Sequence, residues 1–260
     1  MSRSARLTGA LLLLACSAAL AQRSDPLSTR PGLELGAQVS QYHYEEPGLM
    51  KLTGIRGGLV AAYTFTAANA MFFRIDGRGS YGSLKYQGSG TSDGVPDTLF
   101  EVRGVAGMDF RAESVVFSPY VGLGYRYLFD DLRGYSSTGA AGYRRYSNYL
   151  YAPLGETLRF GAGGGWVFAL TGEFDFFLGG KQKSMLSDAG VGLNDVTNTQ
   201  KSGYGYRIYA MLEKDHLAVG PWLQYWHISD SDVQQVAPGK FGLEPENWTR
   251  EIGLELRYRF

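Results

Sequence analysis

His227 and Ser229 stand two residues apart in the run Trp226-His-Ile-Ser. In an extended strand that spacing puts both side chains on one face, where an imidazole can take the hydroxyl proton and make the serine a nucleophile. A carboxylate is then needed to hold the imidazole, and Glu246 or Glu244 stands just ahead of the final strand. A second group is larger and mixed in sign: Arg56, Arg74, Asp76, Arg78, Glu101, Arg103, Asp109, Arg126, Glu173, Asp175, Arg207, Glu251, Glu255, Arg257 and Arg259. These charges alternate with apolar residues, so one face of each segment is ionic. They line either a conducting pore or a ladder of ion pairs. In a confined space opposite charges pair, because an unpaired buried charge costs several kcal/mol, and the ladder is expected. A third group, residues 133–146, is basic and Tyr-rich; it is either a grip for phosphates and glycans or a solvated loop. Glu45 and Glu46 are adjacent carboxylates, too few to define a cation site. Phosphate loops, metal-ligand clusters and cofactor motifs are absent, so no cofactor is expected.

Segments of period two must position these residues. They lie at about 32–44, 54–66, 71–81, 97–110, 116–129, 149–160, 166–178, 203–212, 217–228 and 248–260. The last is the clearest: Ile252, Leu254, Leu256, Tyr258 and Phe260 share one face, and Glu251, Glu255, Arg257 and Arg259 share the other. That is the pattern of a wall with lipid outside and a polar lumen inside. The segment at 149–160 is the least regular. Eight strands remain open if it and the next are misread.

The connections alternate. Residues 66–70, 111–114, 161–165 and 213–216 are short; 45–53, 85–96, 130–148, 179–202 and 229–247 are longer and polar. The expected fold is an all-β, antiparallel up-and-down transmembrane barrel of ten strands, with long loops at one end and tight turns at the other. Tyr125, Tyr127, Tyr204, Tyr206, Tyr225, Trp248, Tyr258 and Phe260 fall near strand ends, as interfacial anchors do. The 36 glycines, 18 tyrosines and 14 phenylalanines suit such a wall. Net charge is zero, which gives no reason to expect a nucleic-acid partner. A closed barrel cannot be cut, so residues 32–260 form one domain.

The chain starts with Arg3 and Arg6, then an apolar run through Leu20, then Ala19-Leu-Ala21 before Gln22. The run is far short of the ~20 residues a spanning helix needs. Residues 1–21 therefore read as a cleaved export signal, and 22–31 as a periplasmic N-terminal segment. Leu13-Leu-Ala-Cys16 is also a lipidation site in form, but cleavage after Ala21 discards Cys16. A mature chain without cysteine has no disulfide framework.

Leu254, Leu256, Tyr258 and terminal Phe260 resemble the insertion signal at the C-terminus of bacterial outer-membrane barrels. The resemblance implies an integral outer-membrane protein of the small porin-like or opacity-protein-like kind. Its partners would be membrane lipid, lipopolysaccharide, the assembly machinery and a host or surface ligand at the loops. Residues 42–51, Tyr-His-Tyr-Glu-Glu-Pro-Gly-Leu-Met-Lys, resemble a signature of small outer-membrane barrels, although Pro47-Gly48 is explained by a turn alone. The His227-x-Ser229 pair resembles the lipid A 3-O-deacylases over the last two strands. It departs from them at Asp230, where that family has Asn, and in strand number, which is eight there. Asp215-His216 resembles a pair in the omptin proteases but falls on a short turn, the wrong end. The expected function is a non-enzymatic surface protein with a narrow or plugged lumen and five outer loops. The alternatives are a lipid A acyl hydrolase and a narrow diffusion channel.

Overall fold

A computed structural model describes residues 25–190 and 192–260. The expected export signal, Cys16 and the cleavage site after Ala21 lie outside the described residues. The chain forms β1 (Gly32–Glu46), β2 (Met50–Thr66), β3 (Met71–Gly88), β4 (Gly90–Met108), β5 (Phe110–Ala112), β6 (Val115–Tyr135) and β7 (Ala141–Gly163). Then follow β8 (Trp166–Ser184), β9 (Val196–Gln200), β10 (Gly203–Lys214), β11 (Leu217–Ile228), β12 (Val233–Ala237), β13 (Lys240–Leu243) and β14 (Asn247–Arg259). One turn of 3-10 helix, Leu186–Asp188, is the helical element among the described residues.

Each strand pairs antiparallel with its neighbour in sequence, and β14 closes the sheet on β1. β5 continues β4 past a break at Asp109, and β9 leads into β10 along β8. The wall therefore has ten staves: β1, β2, β3, β4–β5, β6, β7, β8, β9–β10, β11 and β14. Closure leaves no unpaired edge in the wall, which lipid requires. β7 and β8 pair from Arg145 opposite Ser184 to Gly163 opposite Trp166. The eight-strand alternative is thereby excluded.

Register follows the apolar face. Leu35 lies opposite Tyr258, Ala37 opposite Leu256 and Val39 opposite Leu254. A slip of one residue would turn all of them into the lumen. Outward rows of Ile55, Leu59, Tyr63 and Phe65 on β2, and Phe117, Val121 and Leu123 on β6, complete an apolar belt. Aromatic rings border it. At the end away from the termini, rings run through Phe174, Tyr204, Tyr206, Tyr225, Trp248 and His43. At the terminal end stand His216, Tyr258 and Phe260.

All five long connections hold strand where loop was expected, and three are mostly strand. Residues 45–53, 85–96 and 130–148 are mostly paired strand: β1 runs to Glu46, β3 and β4 meet around Ser89, and β6 and β7 reach Tyr135 and Ala141. Beyond the belt water wets the outer face, so both faces carry polar residues and the period-two signal vanishes while the backbone ladder continues. Residues 229–247 also hold a hairpin, β12 with β13. The turns at the terminal end are tight, with Ala70, Glu113 and Asp215 at positive φ.

Candidate functional site

The lumen is filled by a stack of ion pairs, built because every second residue of each stave points inward. Near the long-hairpin end, Arg56 lies over the Tyr42 ring, its guanidinium carbon 3.4 Å from the ring centre, and pairs with Asp97. Below, Arg78 donates to Glu101 at 2.7 Å and reaches Glu251 at 3.5 Å. Ser40 donates to the same Glu251 at 2.6 Å. Arg207 meets Glu101 at 2.9 Å, Glu173 at 2.6 Å and Asp175 at 3.2 Å. Arg103 bridges Asp76 at 2.7 Å and Glu173 at 2.5 Å. At the terminal end Arg74 meets Glu34 at 2.7 Å, Arg259 meets the same carboxylate, and Arg257 pairs with Glu255. The expected inward charges Arg74, Asp76, Arg78, Glu101, Arg103, Glu173, Asp175, Arg207, Glu255 and Arg257 thus lie together in one network. A cavity of about 130 Å³ remains within its terminal half.

Two tyrosines brace the network. Tyr151 donates to Glu101 at 2.6 Å and Tyr120 to Glu173 at 2.7 Å. Each ring lies across a glycine directly opposite on the neighbouring strand, Gly124 and Gly155 respectively. A Cβ at either glycine would come within 2.4 Å of ring carbon. Pattern reading missed Glu34, Ser40, Tyr120 and Tyr151; an inward Tyr opposite a Gly is a signal that finds the last two.

The chain before β1 crosses the terminal mouth. Leu27 is buried against Val116 and Val167. Thr29 donates its backbone N–H to Asp109 at 2.6 Å and its hydroxyl to the same carboxylate at 2.7 Å. Arg159 donates to Thr29 at 3.3 Å and to Ser118 at 2.9 Å. Arg30 donates to the Asp215 carbonyl at 2.8 Å, and Asp25 pairs with Arg111. These contacts tie residues 25–30 to β5, β6, β7 and the β10–β11 turn.

At the opposite end, above the aromatic border, Arg145 of β7 is buried between Glu46, at 2.7 Å, and Glu244. Tyr44 donates to Glu46 at 2.7 Å. One guanidinium faces two carboxylates. Burial, reinforced by the Glu46 charge, outweighs the attraction of Arg145 and pushes the Glu244 carboxyl up to about 7. The three arginines of the Tyr-rich stretch are all engaged: Arg133 with Asp131 at 2.6 Å, Arg144 with Asp188 at 2.8 Å, and Arg145 as described. The phosphate-gripping expectation for residues 133–146 therefore loses its free cations. Arg133 is balanced by its near neighbour Asp131, and Arg144 and Arg145 by carboxylates on other segments, which the linear sequence does not display.

His227 faces outward at the aromatic border, its ring 5.3 Å from that of Tyr204. Its Nε2 stands 3.5 Å from Glu246, beyond the roughly 2.6–3.2 Å of a directed hydrogen bond. Ser229 stands one residue past the end of β11. Its backbone N–H donates to the Ser202 carbonyl at 3.0 Å, and among the described residues its hydroxyl makes no hydrogen bond to His227. Glu244 does not serve the imidazole either, because it turns inward to Arg145. Of the candidate residues His227, Ser229 and Glu246, the imidazole and Glu246 are the pair that approach each other. His216, on the β10–β11 turn, contacts the Arg259 carbonyl at 2.7 Å.

Leu254, Leu256, Tyr258 and Phe260 all point outward and are exposed. The Phe260 backbone N–H donates to the Leu33 carbonyl at 2.9 Å, continuing the seam between first and last staves. The belt has one ionic break that sequence reading passed over. Glu156 of β7 is exposed on the outward face between Leu154 and Leu158, opposite Pro119 and Gly172.

Residues 8–179 match the family model described as outer membrane protein beta-barrel domain, well over half of the chain. The outer membrane protease OmpT from Escherichia coli is similar over 91% of this chain and 100% of its own, with 9% identity and a TM-score of 0.55. Neisserial surface protein A is 13% identical over 88% of this chain and 97% of its own, with a TM-score of 0.35. The translocator domain of autotransporter NalP from Neisseria meningitidis is 15% identical over 89% and 90%, with a TM-score of 0.42. At 9% identity the likeness to the protease is one of fold alone. Comparison with curated proteins finds no match.

Proposed function

The chain belongs to the outer-membrane β-barrel family, and on that footing we propose that it is a non-enzymatic surface protein of the bacterial outer membrane. Its lumen is too filled to conduct, and its five hairpin connections face the medium. Both termini and the tight turns then face the periplasm. The observation that carries the reading is the ion-pair stack from Arg56 to Arg259, with residues 25–30 drawn across the periplasmic mouth. In planar bilayers the purified protein is expected to give no long-lived openings of porin size. Such openings would overturn the reading and establish the diffusion channel instead. Lipid and lipopolysaccharide surround the belt in this reading, and the assembly machinery reads Phe260 during insertion.

A second reading, lipid A acyl hydrolysis, is favoured by one observation: His227 with Glu246 at 3.5 Å on the outward face, level with the outer leaflet. Among the described residues no hydrogen bond joins Ser229 to His227, which counts against it. Mass spectrometry of lipid A from cells with and without the gene separates the two. Unchanged acylation is expected. Loss of an acyl chain that disappears with His227→Ala would establish the hydrolase.

A further inference from the structure

Between the tips of the β1–β2, β3–β4 and β6–β7 hairpins lies a cavity of about 270 Å³. Its walls are Leu49, Tyr86, Val95, Leu132 and Tyr143, with exposed Tyr135 at the rim. It touches Glu46 and Arg145, which with Glu244 form the ionic floor. The hairpins that frame it are paired strands tied to one another: Thr91 donates its N–H to the Ser137 hydroxyl at 3.0 Å, and Ser136 donates its hydroxyl to the Ser89 carbonyl at 2.7 Å. The cavity is thus built on ladders. It is small and mostly apolar, with a few convergent polar groups, as ligand sites are, although its volume is slightly below their usual range of ~300–1,000 Å³.

We propose that this cavity is a binding site for a small organic monocation with an apolar body, of the aralkylamine class. The sign of the charge comes from the floor. Two carboxylates face one guanidinium: Glu46, Glu244 and Tyr44 all meet Nη2 of Arg145, while Nη1 points to the Met50 sulfur at 3.3 Å and Nε has no partner among the described residues. A ligand carboxylate that approached this guanidinium would meet the charge of Glu46. An ammonium would supply the missing positive charge, with the tyrosine faces of the wall as further attraction. The surrounding tips do not reverse that sign, since Arg133, Arg144 and Lys85 are each matched by an acid, Asp131, Asp188 and Asp93. The body is set by the walls, which offer aliphatic and aromatic surface and a volume suited to one ring with a short chain. The raised Glu244 carboxyl adds a consistent detail: the floor holds a proton near neutrality that an arriving cation would displace.

The inference rests on the long hairpins facing the medium and is independent of whether the lumen conducts. The test uses the full mature barrel refolded in non-ionic alkyl glycoside micelles, titrated calorimetrically with phenethylamine, phenylacetate and 2-phenylethanol. Phenethylamine is expected to bind one to one and saturably, at least five-fold more tightly than phenylacetate or the alcohol, and more tightly at pH 8 than at pH 6. Glu46→Gln is expected to weaken it at least five-fold. Leu132→Lys, on a hairpin outside the belt, should abolish it by filling the cavity and adding positive charge. Heat-modifiable gel migration reports that each variant is folded. Equal or tighter binding of phenylacetate would overturn the proposal. So would uptake that never saturates, which is partition into the micelle, or amine binding indifferent to Leu132→Lys.

Discussion

The Tyr151 ring lies across Gly124 of the neighbouring strand, so close that a Cβ on the glycine would stand 2.2 Å from ring carbon, and its hydroxyl donates to Glu101 at 2.6 Å. A missing side chain in one strand thus positions the acid that Arg78 and Arg207 share. Gly124→Val should lift the ring and loosen that centre, costing about 1–3 kcal/mol as overpacking does. Urea unfolding in lipid vesicles, followed by gel migration, measures it. An unchanged midpoint would separate the ring from the stability of the network.

The seam strand should discriminate its faces. Leu256→Arg places a charge in the belt, at up to ~2–4 kcal/mol near the midplane and less toward the interface. Arg257→Leu removes a luminal partner of Glu255 and leaves the belt intact. Deleting Phe260 should lower the yield of folded, heat-modifiable protein in outer-membrane fractions. Normal yield of the deletion would refute its part in insertion.

Two changes should open the lumen if anything does. Replacing Arg74 and Arg78 together by Ser removes two luminal cations of one strand. Leu27→Asp should expel the N-terminal segment from Val116 and Val167. Combined, they are expected to convert a silent protein into one with small, brief bilayer currents. Silence of the combination would place the block higher, at Arg56 and Asp97.

The Glu244 carboxyl gives stability a defined pH dependence. Its folded value of about 7 lies above its ordinary 4.5. The folded state therefore holds the proton more tightly than the unfolded state, and this contribution is complete below about 4.5 and lost as pH rises through about 7. Glu244→Gln keeps a neutral group at all pH. The variant should be close to the parent near pH 4.5 and gain on it steadily toward pH 8 in parallel unfolding series. A constant difference would mean that Glu244 stays ionised throughout.

Glu156→Leu should stabilise the barrel in vesicles, since the carboxylate is exposed on the outward face between Leu154 and Leu158. A charged residue on the lipid face is costly according to depth, though acids less than bases. A loss of stability would imply an unseen partner for the acid.

The barrel was legible wherever lipid imposed a rule. From β1 to β14 the belt residues alternate because one face meets hydrocarbon, and Phe260 ends the last strand in the same phase. Legibility failed where water replaced lipid. Residues 85–96 and 130–148 read as loops because nothing there constrains the outer face, although the backbone stays paired. The sixth segment, now β7, looked irregular because Glu156 breaks its apolar face and Pro153 sits on its inner one. The floor of the outer cavity was out of reach for another reason. Glu46, Arg145 and Glu244 come from separate hairpins, and only closure of the barrel makes them neighbours.

The length of the paired hairpins also has an ecological side. β7 holds 23 residues, whereas a tilted strand crosses hydrocarbon in ~9–11. At ~3.3 Å per residue and ~40° of tilt, the surplus amounts to roughly 30 Å along the membrane normal, shared between the two ends of the strand. On the orientation proposed above, the paired tips would stand clear of the lipid headgroups, held there by backbone ladders rather than by loose loops. What reaches the cell would then meet these tips before it meets the lipid.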